Sequence, residues 1–279
     1  MKEGIKMKFK IVADSSCDLT KEYIIDEEVG FDIVPLSINI GEESFIDNQD
    51  LDIRLMLEKM KACSQASKTA CPSPGYFSNT YSDAEHVFVV TISSKLSGTY
   101  NSAYLGAIEH DNKVHVIDSK GTSGMMVLLI DKLYDLIKKG YSFEEIKEKI
   151  EEYQKSLNLF FVLDKFDNLI KNGRMSKFTA LVAMTLFIKP LCIAEDGQIS
   201  IYEKPRTMKS ALIRLVNNIK DKCKDFSGKC IITHCYNEEN AKFVEKLIKE
   251  KYSFKEVIIK PMRGLCSFYA LENGIIVSF

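Results

Sequence analysis

The residues best suited to chemistry lie in the stretch 87–103, VFVVTISSKLSGTYNSA. Residues 87–92 are apolar or β-branched, which is typical of a strand buried on both faces. The run ends in a cluster of small and polar residues before a predicted helix: Ser93, Ser94, Ser97, Gly98 and Thr99. Backbone N–H groups, the positive end of a helix and short hydroxyl side chains can together bind an anion at such a strand end. An ordinary turn, in which the hydroxyls only cap the helix, is the alternative.

Two further loops of the first half resemble this one in composition. ADSS at 13–16 and DSKGTSG at 118–124 each follow a short apolar segment. The repeated order of strand, hydroxyl-bearing loop and helix predicts a parallel sheet with right-handed crossovers. The three loops should therefore gather at one edge of that sheet.

The elements that must position these loops can be read along the chain. In the first half we predict one strand over 31–40, an extended segment over 67–74, and helices over 18–30, 51–61 and 125–139. The composition changes near residue 157. In the second half we predict two helices flanking Gly173 and Arg174, the second over 176–187, and a β-hairpin in which EDGQ joins 190–194 to 199–202. The sequence thus predicts an α/β fold with two domains, 1–156 and 157–279.

Composition excludes several classes of partner. A formal net charge of −1 gives no electrostatic case for nucleic acid or an anionic membrane surface. The longest apolar runs are too short to span a bilayer, and MKEGIKMKFK at the start has no apolar core of a signal peptide. The eight cysteines form no C-x-x-C pair, so we expect reduced thiols in a cytoplasmic protein. Cys230, His234 and Cys235 lie on a predicted strand, where adjacent side chains point to opposite faces, so we expect no metal site.

No familiar catalytic motif accompanies the hydroxyl groups. The chain has no P-loop, no dinucleotide-binding glycine motif and no G-x-S-x-G elbow, and none of its four histidines indicates a triad. The remaining candidates are donors that could hold a carboxylate or a phosphate: Ser15, Thr69, Ser94, Ser97, Thr99 and Arg174. Arg174 could instead be a surface arginine that packs on or caps the helix starting near Ser176.

These residues carry a resemblance to the DegV family that covers nearly the whole chain. The matching segments, in order, are IVADSS at 11–16, TACPSP at 69–74, SSKLSGTY at 93–100, IDS at 117–119, NGR at 172–174 and IKP at 188–190. The third of them reproduces the family's most specific motif intact.

The resemblance implies a non-catalytic protein that holds one long-chain fatty acid between two α/β domains, without a cofactor or metal. It also implies that a separate fatty acid kinase phosphorylates the bound carboxylate. By motif position, Thr69 and Ser97 are expected to bind the carboxylate, with Ser94 and Thr99 as neighbouring candidates and Arg174 near the pocket mouth. We expect the wall to include the apolar residues Leu181, Met184, Leu186, Phe187 and Ile188.

Three departures from the family pattern leave other functions open. Cys71 replaces the usual Gln, and Asn172 replaces the first Gly of a Gly-Gly-Arg segment. Near the C-terminus, Cys266 lies in a region where relatives carry a histidine in a Gly-Pro-Gly-containing loop, and a thiol cannot replace a protonatable imidazole. One alternative is an enzyme for a small carboxylate or phosphate, with Asp14 or Asp118 as the base. Another is a binding module for a different amphiphile.

Overall fold

The computed structural model describes residues 7–111, 113–175 and 188–279. Its first sheet contains four parallel strands in the order β2-β1-β6-β7, which confirms the predicted parallel sheet. These strands are β1 (Met7–Asp14), β2 (Val29–Val34), β6 (Ala84–Thr91) and β7 (Val114–Asp118). The apolar run that opened the sequence analysis forms β6, a central strand whose side chains from Val87 to Thr91 are buried on both faces.

A small antiparallel sheet stands beside it, in the order β4-β3-β5. Its strands are β3 (Ser37–Ile40), β4 (Glu43–Ile46) and β5 (Lys68–Ala70). The prediction of one strand over 31–40 was therefore wrong, because β2 ends before Pro35 and the chain turns into β3. The extended segment predicted over 67–74 contains β5, which pairs with β3 so that Thr69 lies opposite Ile38.

The helix predicted over 18–30 was also wrong. Residues 21–23 form one 3-10 turn, and Gly30 lies inside β2. Asp26 accepts hydrogen bonds from the nearby N–H groups of Glu28 and Val29, whereas two other side chains of this segment bind distant partners. Asp18, in a left-handed conformation (φ 58°), accepts a hydrogen bond from the N–H of Arg263, and the Tyr23 hydroxyl donates to Asp131.

Five helices accompany these two sheets: α1 (Ile53–Ala62), α2 (Pro74–Asn79), α3 (Thr99–Ala107), α4 (Gly124–Lys138) and α5 (Phe143–Ser156). The hydrophobic helix α4 contacts strands of the first sheet and of a six-stranded sheet formed by the second half of the chain. Its N-terminal Gly124 lies so close to this six-stranded sheet that a Cβ would stand 2.9 Å from the Ile231 side chain. A glycine is required there by close packing.

The second sheet has six strands in the order β10-β9-β8-β13-β11-β12. Its strands are β8 (Leu159–Val162), β9 (Leu191–Glu195), β10 (Gln198–Glu203), β11 (Lys229–His234), β12 (Glu256–Pro261) and β13 (Ile275–Ser278). The pair β11 and β12 is parallel and the other pairs are antiparallel. The strands β9 and β10 form the predicted hairpin, turning through Asp196 and Gly197, both at positive φ.

In the described residues of this half the helices are α6 (Asp167–Lys171), α7 (Met208–Lys222), α8 (Glu238–Lys251) and α9 (Gly264–Ala270). One hydrophobic core surrounds α4 and joins residues of the four-stranded and six-stranded sheets. A second core lies between the six-stranded sheet, α7 and α8. Along the chain, the strands of the first sheet all precede the predicted boundary between residues 156 and 157, and those of the second sheet all follow it. The division into two domains stays a prediction. The predicted helix over 176–187 lies outside the described residues.

Within the described residues, no helix has the length and apolar character needed to cross a membrane. The same part of the chain contains no cluster of three or more His, Cys, Asp or Glu side chains suited to a metal ion.

Candidate functional site

A mostly apolar cavity lies between the two halves of the protein. Its empty space, the open mouth and adjoining solvent included, is about 810 Å³. The apolar wall comes from β8 and its flanks, the β9–β10 hairpin and β13. It includes Leu159, Phe161, Leu163, Leu169, Ile199 and Ile276.

Most of the sequence-predicted wall is not tested by the described residues. Leu181, Met184, Leu186 and Phe187 lie outside the described residues, and Ile188 is half-buried.

Thr69, Ser97 and Arg174 line this cavity although they are far apart in the chain. Pairing of β5 with β3 presents Thr69. Ser97 lies in the loop after β6, where its N–H donates to the Ser93 carbonyl at 3.1 Å. The Ser93 hydroxyl in turn donates to the Gly197 carbonyl at 2.7 Å, which ties the loop to the β9–β10 hairpin. Strand β5 and the loop after β6 thereby bring Thr69 and Ser97 to the same cavity.

Thr99 and Ser94, two of the three other predicted hydroxyls, occupy different positions. Thr99 is buried at the start of α3, and its hydroxyl lies 2.8 Å from that of Ser97, so it supports Ser97 from behind. Ser94 is exposed and is absent from the cavity lining; its N–H and hydroxyl both donate to Asp118. The roles of all five residues in ligand binding stay predictions.

Arg174 follows α6 and is held beside the loop that carries Ser97. Its Nε donates to the Leu96 carbonyl at 3.1 Å, and its guanidinium carbon lies 5.8 Å from the ring centre of Tyr269. A cation at this distance is attracted to the face of an aromatic ring. The arginine therefore adds fixed positive charge to the polar part of the cavity, as an anionic ligand would need.

The two carboxylates considered as catalytic bases lie outside the cavity lining. Asp14 is fully buried and accepts hydrogen bonds from the N–H groups of Ser16 and Ile92, at 2.9 and 2.6 Å. Burial raises the pKa of Asp14 to about 6. Asp118 accepts from the N–H groups of Ser94 and Lys120. Both aspartates thus hold loops in place.

The C-terminal region contributes several cavity residues beyond the predicted set, and two of them carry a thiol or hydroxyl group. Residues 264–270 form the helix α9, and both Cys266 and Tyr269 line the cavity. The Cys266 thiol donates to the Ser16 carbonyl at 3.3 Å, and burial raises its pKa well above its usual range, which keeps it protonated. The Tyr269 hydroxyl lies 2.8 Å from that of Thr69. Cys266 and Tyr269 are three positions apart and therefore lie on one face of α9, and this spacing was the sequence signal that could have identified them.

Two buried aspartates secure the N-terminus of α9. Asp47 accepts hydrogen bonds from the N–H groups of Gly264 and Leu265, at 3.0 and 2.9 Å. Asp18 accepts from the N–H of Arg263 and from the Ser123 hydroxyl, at 2.6 and 2.5 Å. Helix N-termini favour negative charge and leave N–H groups that need acceptors. The first half of the chain thereby holds a helix of the second half against the cavity.

The burial of Asp18 predicts a specific pH dependence of stability. Burial raises the pKa of Asp18 to about 7, against 3.8 for the ordinary group, so the native state binds a proton more tightly than the unfolded state. The contribution of this group to stability is full at low pH and declines as pH rises through 7. Between pH 5 and pH 8 the wild-type free energy of unfolding should lose roughly 2–3 kcal/mol through Asp18 alone.

Urea denaturation at both pH values, for the wild type and Asp18→Asn, measures that contribution. The variant should lack this part of the decline, while effects of Asp14 and of the half-buried histidines appear in both proteins and cancel. An equal pH dependence in the two proteins would contradict the prediction.

The fold and the site together define an α/β protein that has two larger sheets and a small third sheet, with an apolar cavity whose polar end carries hydroxyl groups and an arginine. A model of the DegV family, described as that of an uncharacterised protein, matches residues 8–278. The chain belongs to the DegV family.

Relatives of known sequence and structure match over the same length. A DegV domain-containing protein of Streptococcus gordonii is 40% identical, over 98% of this chain and 99% of the relative. The fatty acid kinase B3 protein of Streptococcus pneumoniae, solved loaded with linoleic acid, is 38% identical with a TM-score of 0.92, covering 98% of this chain and 99% of its own. A DegV family protein of Ruminococcus gnavus, refined with vaccenic acid, is 35% identical with a TM-score of 0.92, covering 98% of this chain and 100% of its own.

Proposed function

We propose that this protein binds one long-chain fatty acid, with the hydrocarbon tail in the apolar cavity and the carboxylate at Thr69, Ser97 and Arg174. The observation that carries the proposal is the convergence of these three groups on a cavity that is otherwise almost entirely apolar. The fatty acids bound by similar proteins of S. pneumoniae and R. gnavus support the same ligand class.

The two ends of the ligand play different energetic roles. Burying about 14 methylenes at about 0.8 kcal/mol each gives roughly 11 kcal/mol before the entropic cost of binding is subtracted. Each hydrogen bond to the charged carboxylate adds about 1.5–3 kcal/mol. The tail therefore supplies most of the affinity, whereas the hydroxyls and Arg174 fix which end of the ligand lies where.

We further propose that the protein is a carrier that presents its ligand to a fatty acid kinase and has no catalytic activity or cofactor of its own. The similarity to a kinase B3 protein supports the partner. The hydrogen-bonded, loop-holding roles of Asp14 and Asp118 support a binding site rather than a reaction centre. All eight cysteines are free, which supports a reducing cytoplasmic location.

Native mass spectrometry of the protein purified from cells tests the ligand. We expect a bound mass equal to that of a long-chain fatty acid, and lipid extraction followed by chromatography should identify it as a free acid. Protein that is recovered without ligand and that also fails to bind added palmitate or oleate would rule the proposal out. A different extracted lipid would identify a binding module for another amphiphile, and turnover of a small carboxylate or phosphate by the isolated chain would indicate an enzyme.

A further inference from the structure

One of the hydrogen bonds that join the two halves of the protein lies at the polar end of the cavity. It connects the hydroxyl of Thr69 on β5 to the phenol hydroxyl of Tyr269 on α9, with 2.8 Å between the oxygens. Both residues line the cavity and both are half-buried. Tyr269 is therefore in direct contact with one of the hydroxyls assigned to the ligand carboxylate.

The chemistry of the two hydroxyls decides the direction of this bond. A phenol, with a pKa near 10, is a stronger hydrogen-bond donor than an aliphatic alcohol, and the alcohol oxygen is the stronger acceptor. Burial raises the pKa of Tyr269 further, so the phenol keeps its proton throughout the neutral range. Tyr269 thus donates to Thr69.

This direction leaves the only proton of Thr69 available for another acceptor. A hydroxyl that already accepts from a neighbour and lines a cavity can donate its own proton into that cavity, and hydrogen bonds in such a chain strengthen one another. The Tyr269 ring is itself held by the guanidinium of Arg174 at 5.8 Å from its centre. The tyrosine is accordingly fixed on both sides, by a cation at its ring and by Thr69 at its hydroxyl.

We propose that Tyr269 is a positioning residue that directs the Thr69 proton at the ligand carboxylate and so sets a preference for free fatty acids over their esters. The inference rests on the proposed fatty acid site and adds to it a residue beyond the predicted set. An ionised carboxylate is a stronger acceptor than an ester carbonyl. A correctly aimed donor therefore gains more from the acid than from the ester.

Tyr269→Phe tests this role because it removes the hydroxyl and keeps the ring beside Arg174. We expect its affinity for oleic acid to fall about tenfold, while its affinity for methyl oleate stays within about twofold of the wild type. Tyr252→Phe is the matched control, since the Tyr252 hydroxyl donates to the Val216 carbonyl outside the cavity lining. A purely structural role for Tyr269 would change both affinities together.

A double-mutant cycle with Thr69→Val tests whether Tyr269 acts through Thr69. If it does, the double variant binds oleic acid no more weakly than Thr69→Val alone. Multiplied losses, or an unchanged ratio of acid to ester affinity in Tyr269→Phe, would overturn the inference. Should the phenylalanine variant unfold, the ratio of acid to ester affinity is measured for Thr69→Val alone, and a ratio equal to that of the wild type would overturn the inference. A wild type that binds neither compound would instead refute the proposed function.

Discussion

The double variant Thr69→Ala with Ser97→Ala should bind fatty acids at least about 100-fold more weakly than the wild type. Each hydroxyl lines the cavity and is assigned one hydrogen bond to the carboxylate, at about 1.5–3 kcal/mol for a charged acceptor. Two such bonds amount to roughly 3 kcal/mol or more, and about 1.4 kcal/mol corresponds to a factor of ten. Isothermal titration with oleate, or displacement of a fluorescent fatty acid, measures the change.

The matched control removes one threonine and one serine hydroxyl elsewhere. Thr80 and Ser156 each donate to a backbone carbonyl of a nearby residue, Phe77 and Tyr153. Thr80→Ala with Ser156→Ala should therefore leave fatty acid affinity within about twofold of the wild type. If the cavity variant also retained its affinity, the carboxylate would have to be held by other groups.

Asp47→Ala should lower the free energy of unfolding by about 3–5 kcal/mol. The side chain is 1% exposed, and its two oxygens accept from the N–H groups of Gly264 and Leu265. The substitution leaves both buried donors without their acceptor, at about 1–3 kcal/mol each. Because α9 carries Cys266 and Tyr269 into the cavity, oleate binding should weaken as well. Urea denaturation and titration with oleate measure the two effects.

Asp52→Ala provides the comparison for this loss. Asp52 also caps a helix, accepting from the N–H of Leu55 at 3.0 Å at the start of α1, but it is exposed. Water can replace its carboxylate, so the cost should be about 1 kcal/mol, without a change in oleate affinity. Equal losses in the two variants would show that burial of the α9 cap adds nothing to stability.

Sequence patterns located the elements whose character is local. The uninterrupted apolar run ending at Thr91 is the central strand β6, and the polar turn at Asp196 and Gly197 marks the β9–β10 hairpin. The helix expected over 18–30 failed for a tertiary reason. Asp18 and Tyr23 form stronger contacts with Arg263 and Asp131 than a local helix offers, and these partners lie more than 100 residues away.

The candidate site was also predicted where its residues belong to local motifs, and missed where a residue depends on a distant contact. Thr69, Ser97 and Arg174 were found because they lie in short polar segments that resemble family motifs, and the structure brings all three to one cavity. Their binding roles await the variants above. Tyr269 was missed because its contribution depends on pairing with Thr69, 200 residues away in the chain. No periodicity within α9 specifies that contact.

The position of α4 constrains how a ligand can enter or leave. This helix packs against both sheets at once, with Gly124 pressed against Ile231 and most of its apolar side chains buried. Swinging one sheet away from the other would expose several of these side chains, at about 1.5–3 kcal/mol each. We therefore expect ligand exchange to proceed by local rearrangement of the cavity wall rather than by separation of the two sheets.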